Sequence, residues 1–338
     1  MYSIKKTTIT FTILISFCAT NAWSQTNYKV LKNHKIGSSG WWDYITIDAT
    51  AKRMYISHGN QVNVLSTTNG DSIGVITNTL GVHGIVIDNK LGKGYTSNGK
   101  SNSISIFDLK TLKVIKEVAV GQNPDAIFYD DFSKKIITCN GNSKDLTVFD
   151  QLTEKVITTV PLGDKPETAV SNGKGKIFVN GEETSTLFVI DAKSFKKIHS
   201  YKINGGTAPS GLDIDRSTNR LFIGCGDSKT MVIMNPDNGK TIARFPIGST
   251  DGVVFDQSMK LAFASNGEGT ISVVKELSAN KFKALKSIST EPSARTIALD
   301  KTTHHLFLPA AKTKPSTTGG RPSIIPGTFH VIEVGPSK

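Results

Sequence analysis

The chain has 338 residues, of which 38% are hydrophobic, 20% charged and 8% aromatic. That is enough apolar matter for a sizeable core, and it excludes general disorder, a collagen-like chain and a polytopic membrane protein. Lysine and arginine number 40 against 28 aspartates and glutamates, a net charge of +12, which permits a nucleic-acid or anionic-surface partner without pointing to one.

The first segment reads as an export signal. Lys5 and Lys6 precede an apolar stretch from Ile9 to Ala19 that is too short to span a membrane, and Ala22-Trp23-Ser24 places small residues where a signal peptidase cuts. The expected mature protein is therefore 25–338, periplasmic or secreted, with 1–24 removed and no membrane span. Cys18 is a poor lipidation site because the bulky Phe17 precedes it. The mature chain keeps Cys139 and Cys225, which lack metal or redox spacing and read as small buried side chains.

From Tyr28 onward the pattern is β throughout. Runs such as Ile104–Phe107, Leu146–Phe149 and Leu187–Ile190 are rich in β-branched and aromatic residues and are bounded by polar turns. One unit recurs, clearest at Gly121-Gln122-Asn123-Pro124-Asp125-Ala126-Ile127, with a marker residue closing its first strand. The markers fall at Asp48, Asp88, Asp130, Asn172, Asp215, Asp256 and Asp300, spaced 40 to 44 residues apart. A period of this length signals a propeller or solenoid. The expected fold is a single all-β domain, a seven-bladed β-propeller of four-stranded antiparallel blades. The last repeat, with strands around Thr296–Leu299, Leu306–Leu308 and Phe329–Val334, lacks an outer strand, and Tyr28–Ile36 is expected to supply it and close the ring. A long loop at 310–327, rich in Pro, Gly, Lys and Arg, replaces a connection that elsewhere takes a few residues.

The phrases Leu80-Gly81-Val82-His83-Gly84-Ile85, Tyr95-Thr96-Ser97-Asn98 and Ser105-Ile106-Phe107-Asp108 resemble the YVTN repeat of exported YncE-like seven-bladed propellers, and the tail 321–329 resembles the closing segment of bacterial members. The resemblance covers essentially the whole mature chain. It implies the same fold but leaves function open, because that family includes nucleic-acid binders, lyases, lactonases and subunits of redox enzymes. Ala262-Phe263-Ala264-Ser265 and His305-Leu306-Phe307-Leu308 depart from the YVTN phrase in the last two repeats.

Five positions before each marker, at the head of each innermost strand, stand Asp43, His83, Asp125, Glu167, Ser210, Asp251 and Arg295. While the framework stays alike from repeat to repeat, this position carries diverse functional groups, so it is the candidate site at the channel mouth. Four converging carboxylates must be protonated, paired or bound to a cation. Asp43, Asp125, Glu167 and Asp251 are candidate metal ligands, joined by loop amide oxygens of Asn98, Asn140 and Asn266; the oxygen-rich set would favour Ca²⁺, Mg²⁺ or Mn²⁺ over Zn²⁺. His83 or His58 would then serve as general base, with Arg295 clamping an anionic group. Trp41 and Trp42 at the rim could stack on a sugar or base, or one could plug the joint between first and last blades. Ser210 and Arg321 complete the candidate ligand contacts, with Lys312 and Lys314 on the long loop.

Other signals are discounted. Gly94–Ser101 matches a phosphate-loop pattern but runs into a strand rather than a helix, and Ser194-x-x-Lys197 lies in a turn. Asp108, Asp150 and Asp191 are expected to bond turn amides, and His304-His305 to form an exposed turn. Lysines 110, 113, 116, 193, 196, 197, 202, 281, 283 and 286 fall on turns and outer strands, where they discourage edge pairing. Covalent haem is excluded by the lack of C-x-x-C-H. The leading expectation is a monomeric propeller binding a small molecule or an envelope protein at the channel mouth. The alternatives are a metal-assisted lactonase or lyase, an envelope scaffold, or a nucleic-acid binder, the last disfavoured by the acidic mouth.

Overall fold

A computed structural model describes residues 28–38, 40–315 and 322–337. The expected signal segment 1–24 and Arg321 lie outside the described residues. Among these, no helix occurs, and none is therefore long and apolar enough to cross a membrane. Seven antiparallel sheets form the seven blades, six of four strands and one with a fifth short strand.

Blade 1 runs outward as Trp42–Asp48, Arg53–His58, Gln61–Ser66 and Ser72–Ile76, and blades 2 to 5 repeat this order. In blade 6, Ile288–Ser289 adds to the third strand, Thr270–Ser278, beyond the short edge Lys281–Ala284. Blade 7 is composite: Ala298–Asp300, His305–Ala310 and His330–Pro336, with Tyr28–Lys35 antiparallel on the outside. The expected ring closure is therefore present. Its innermost strand starts two residues later than the sequence suggests, and Thr296, just before it, donates its hydroxyl to the backbone oxygen of Asp43 in blade 1 (2.6 Å).

There is no central core. The buried hydrophobic residues divide into seven clusters, each spanning one blade-to-blade interface. Alternation puts successive side chains on opposite faces, and in a propeller both faces of an inner strand are covered by neighbours. Second and third strands such as Arg53–His58 and Ser103–Asp108 are accordingly buried almost along their length. Cys139 and Cys225 are both free and buried, in two different interfaces.

The marker residues are turn-formers. Asp48, Asp88, Asp130, Asn172, Asp215, Asp256 and Asp300 each accept a backbone N–H two or three residues on. Asp108, Asp150 and Asp191 do the same after third strands. Gly94–Ser101 is the end of one strand, a turn and no helix.

The two histidines read as an exposed turn are instead tied down. His304 Nδ1 lies 2.7 Å from Asp256, and His305 Nδ1 lies 2.6 Å from Glu333. Glu333 also meets His34 Nε2 at 2.8 Å, so one buried carboxylate joins three adjacent strands of the closing blade. Burial opposes its ionisation, but the two imidazoles hold Glu333 below the ordinary glutamate range. A depressed carboxyl pKa contributes stability that is present above the unfolded value and is lost as pH falls through the folded one.

Two outcomes check the closure. Deleting Tyr28–Lys35 bares the long edge of His330–Pro336 and should lower the melting temperature of the whole ring; an unchanged transition in calorimetry would contradict the pairing. Glu333→Gln should cost about 2 kcal/mol in urea unfolding, the usual range for losing hydrogen bonds to a buried charge.

Candidate functional site

The innermost strands of blades 1 to 6 begin with an irregularity in their pairing. In blade 1 Trp42 pairs with His58 and Ile45 with Ile56, so Asp43 and Tyr44 together face Ser57. Register shifts at the same place occur in blades 2 to 6, around His83, Asp125, Glu167, Ser210 and Asp251. A bulge bends the strand and re-aims a side chain, and here it frees the head of each strand from the alternation that rules the rest. Bulge and neighbour are pinned together. Ser97 donates to the carbonyl of Asp125, Asn180 to that of Ser210, and Ser265 to that of Arg295, each from one blade to the next. At Gly211 a Cβ would come within 2.6 Å of the Val253 backbone nitrogen, so the residue after this ring position must be small for the blades to approach.

The resulting cavity of about 480 Å³ is lined by Asp43, His83, Asp125, Glu167, Asp251 and Arg295 among others. His83 Nδ1 sits 2.7 Å from Asp43 and 3.7 Å from Asp125, and ligand atoms of these three lie within 4.8 Å of one another. The other two carboxylates do not join them. Lys165 meets Glu167 at 3.0 Å and also pairs with Glu182, while Arg295 pairs with Asp251. Of the three ways to relieve the repulsion of four carboxylates, pairing is seen for Glu167 and Asp251, and only Asp43 and Asp125 stand together beside His83. Arg295, bound to Asp251, is not an idle clamp.

Several other expected contacts lie elsewhere. Asn98, Asn140 and Asn266 end second strands, fully buried, and their amides donate to Ser103 and Ser105, to Asp145 and Thr147, and to Thr270 and Ser272 of their own blades. His58 occupies the same strand-end position. It is buried, bonded to Ser38 and the Gly40 carbonyl, stacked on Phe329 at 4.1 Å, and its pKa is lowered by burial. These four are framework, because that strand end faces the next strand and not the channel. The Ser210 hydroxyl turns back to Ala208 O. Trp42 is 4% exposed and packs with Phe329 and Phe307, plugging the joint of blades 7 and 1, whereas Trp41, 36% exposed, stands at the rim. The long loop carries a small hairpin, Thr313–Lys314 with Ser323–Ile324; Lys312 and Lys314 are exposed and do not line the cavity.

Sequence reasoning missed Tyr44, Lys165 and Glu182. Tyr44 reaches from blade 1 to pack on the cluster of blades 3 and 4, lining the cavity beside the acids, and it has no repeat signal. Glu182 had one: the residue after the second strand is glycine at 59, 99, 141, 226 and 267. Lys165 belongs to a second tier, two residues before the ring position, with Trp41, Gly81 and Asn123.

Protons are shared in this cavity. Burial opposes charge on His83, but the hydrogen bond to Asp43 and the fields of Asp125, Asp43 and Glu167 raise it to about 9. Burial and then the charge of Asp43 raise Asp125 to about 7, and burial and then Asp125 raise Glu167 to about 8. Near pH 7 the proton rests on His83, so in this arrangement it is an acid or a cation and not the free base expected from the sequence.

No family model matches the chain, and no curated protein matches its sequence. Solved structures do resemble it. A Kuenenia stuttgartiensis hydrazine synthase structure is similar over 82% of this chain and 94% of that chain, at TM-score 0.70 and 14% identity. The structure of U3-55K covers 93% and 99%, at 0.73 and 10%, and the RRP9 WD40 repeats cover 92% and 98%, at 0.73 and 9%. At these identities the likeness is one of fold, a seven-bladed β-propeller.

All three raised pKa values mean that the folded state holds more protons than the unfolded chain between about pH 4 and 9, so their joint contribution to stability falls as pH rises through that window. The melting temperature should therefore rise from pH 9 to pH 6, and Asp125→Asn should flatten the rise. By NMR, His83 should titrate near 9 in the native protein, and more than one unit lower in Asp43→Asn.

Proposed function

We propose that this is an exported propeller of the YVTN-repeat kind that binds a small polar ligand in the cavity at the channel mouth. One observation carries the reading. Asp125 Oδ1 is buried at the cavity wall without a hydrogen-bond partner, the His83 imidazole standing 3.7 Å away, whereas buried polar atoms are almost always satisfied. A bound molecule that donates a hydrogen bond would complete it. Trp41 at the rim offers an aromatic face to such a molecule.

The Asp43, His83 and Asp125 group favours a second reading, a divalent cation held there. Two carboxylates and one imidazole suit Mn²⁺, Mg²⁺ or Ca²⁺, and the imidazole would have to give up its proton to bind. Such an ion would polarise a carbonyl and would be the basis of lactonase- or lyase-type chemistry. Glu167, neutral part of the time near pH 7, would then be better placed than His83 to move a proton.

The two readings separate in one thermal series. In EDTA and then in Ca²⁺, Mg²⁺, Mn²⁺ or Zn²⁺, an ion bound only to the folded state stabilises it by about 2.7 kcal/mol at a hundred times its Kd. A selective rise in melting temperature that Asp125→Ala abolishes would establish the cation and call for a lactone and ester screen. No shift with any ion removes the metal enzyme and leaves ligand binding.

A further inference from the structure

Every innermost strand runs from the mouth to the opposite face, so the turns that join first to second strands, and third to fourth, lie on that opposite face. The first of these turns carries one basic residue in each blade: Lys52, Lys90, Lys134, Lys174, Arg216, Lys260 and Lys301. The same seven turns hold one acid, Asp131, which pairs with Arg216, while Lys260 pairs with Asp215. The marker carboxylates at the strand ends are bonded to turn amides, and a Lys or Arg opens each second strand of blades 1 to 5 to offset them. Lys52, Lys90, Lys134, Lys174 and Lys301 are exposed and make no ion pair among the described residues. The mouth is acidic by contrast, its turns adding Glu182, Glu183, Asp227 and Glu268 to the ring. Lysines alone fit any polyanion, but this face also carries apolar tips. Leu91, Phe132 and Leu152 are 36%, 45% and 70% exposed, in turns of the adjacent blades 2 and 3. They form one patch: Lys93, next but one to Leu91, meets Glu154, next but one to Leu152, at 2.7 Å, and Lys135, just beyond Phe132, meets Asp150, just before Leu152, at 3.2 Å.

We propose that this face seats the protein on an anionic phospholipid surface, with its lysines among the headgroups and Leu91, Phe132 and Leu152 entering the boundary between headgroups and acyl chains. Interfacial binding adds the burial of apolar side chains to attraction for anionic lipid, and the patch of blades 2 and 3 offers both. Each lysine near such a surface raises affinity about fivefold. A nucleic-acid backbone satisfies the lysines, but it gives aliphatic tips nothing apolar to bury against. Seated in this way, the protein turns its mouth away from the lipid, and the cavity stays open to solvent whatever it binds. The seating therefore stands or falls independently of the reading of the cavity.

The test is sedimentation of chain 25–338, which holds every strand of the ring and leaves out the apolar run 9–19, with vesicles of phosphatidylcholine alone or mixed with phosphatidylglycerol. A labelled DNA duplex is titrated in parallel. The expected result is binding to the mixed vesicles and not to the neutral ones, weakening as salt is raised. Lys90→Ala, Lys134→Ala and Lys174→Ala together should weaken it about a hundredfold, three steps of fivefold. Phe132→Ser with Leu152→Ser should weaken it about tenfold with the lysines intact. Lys144→Ala with Lys229→Ala, in turns of the mouth face, should leave it unchanged. All these side chains are at or near the surface, so the melting temperatures of the variants should stay close to that of the parent. Equal binding to both kinds of vesicle, binding to neither, or binding that the triple lysine variant leaves intact would overturn the proposal. Duplex binding without vesicle binding would overturn it in favour of a nucleic acid. Vesicle binding indifferent to Phe132→Ser with Leu152→Ser would overturn the entry of the tips, the feature that singles out a membrane.

Discussion

Everything in this molecule depends on blades burying one another's faces. A single four-stranded sheet of this size leaves both faces of its inner strands bare, and burial is worth roughly 25 cal/mol per Å² of apolar surface only when a partner covers it. Each interface here has its own cluster of buried aliphatic and aromatic side chains, and only the partly buried Tyr44 of blade 1 reaches a cluster between other blades. The ring must therefore close, since an unclosed ring would expose one cluster on each side of the gap. Closure is made by Tyr28–Lys35, the first described strand, which pairs as the outer strand of the last blade, and His34, His305 and Glu333 are joined at that seam.

The same packing leaves the axis open and puts the strand heads around it. The bulges at 43, 83, 125, 167, 210 and 251 are where the regular pleat gives way, and the hydroxyl and amide bridges from blade to blade hold those heads at fixed spacing. Charged groups are tolerated there because the framework has already supplied stability from the seven interfaces. Tyr44 both lines the mouth and packs on the cluster between blades 3 and 4.

Repetition made much of this legible beforehand. The markers at 40 to 44 residue intervals correspond to turn-forming side chains in every blade, and the same spacing picked out the ring of ionisable residues at the mouth. Where reasoning from the repeat failed, it failed at orientation. Asn98, Asn140, Asn266 and His58 are neighbours of the mouth in sequence register, yet each ends a strand with its side chain pointing along the blade. His304 and His305 looked like a polar turn because their partners, Asp256 and Glu333, are 48 and 28 residues distant. Glu182 was visible as the break in a run of glycines, but only its contact with Lys165 gives that break a meaning.

The sequence by itself determined the number of blades, the strand that closes the ring and the positions that surround the axis, because period and alternation are local properties that every repeat restates. Only the tertiary structure decided how the charges divide. Which carboxylate meets Arg295 and which is left beside His83 depends on distances between residues 40 to 44 positions apart, while Lys165 finds Glu167 and Glu182 within its own repeat. Those distances are set by how blades pack and how each bulge turns, and the protons follow from them.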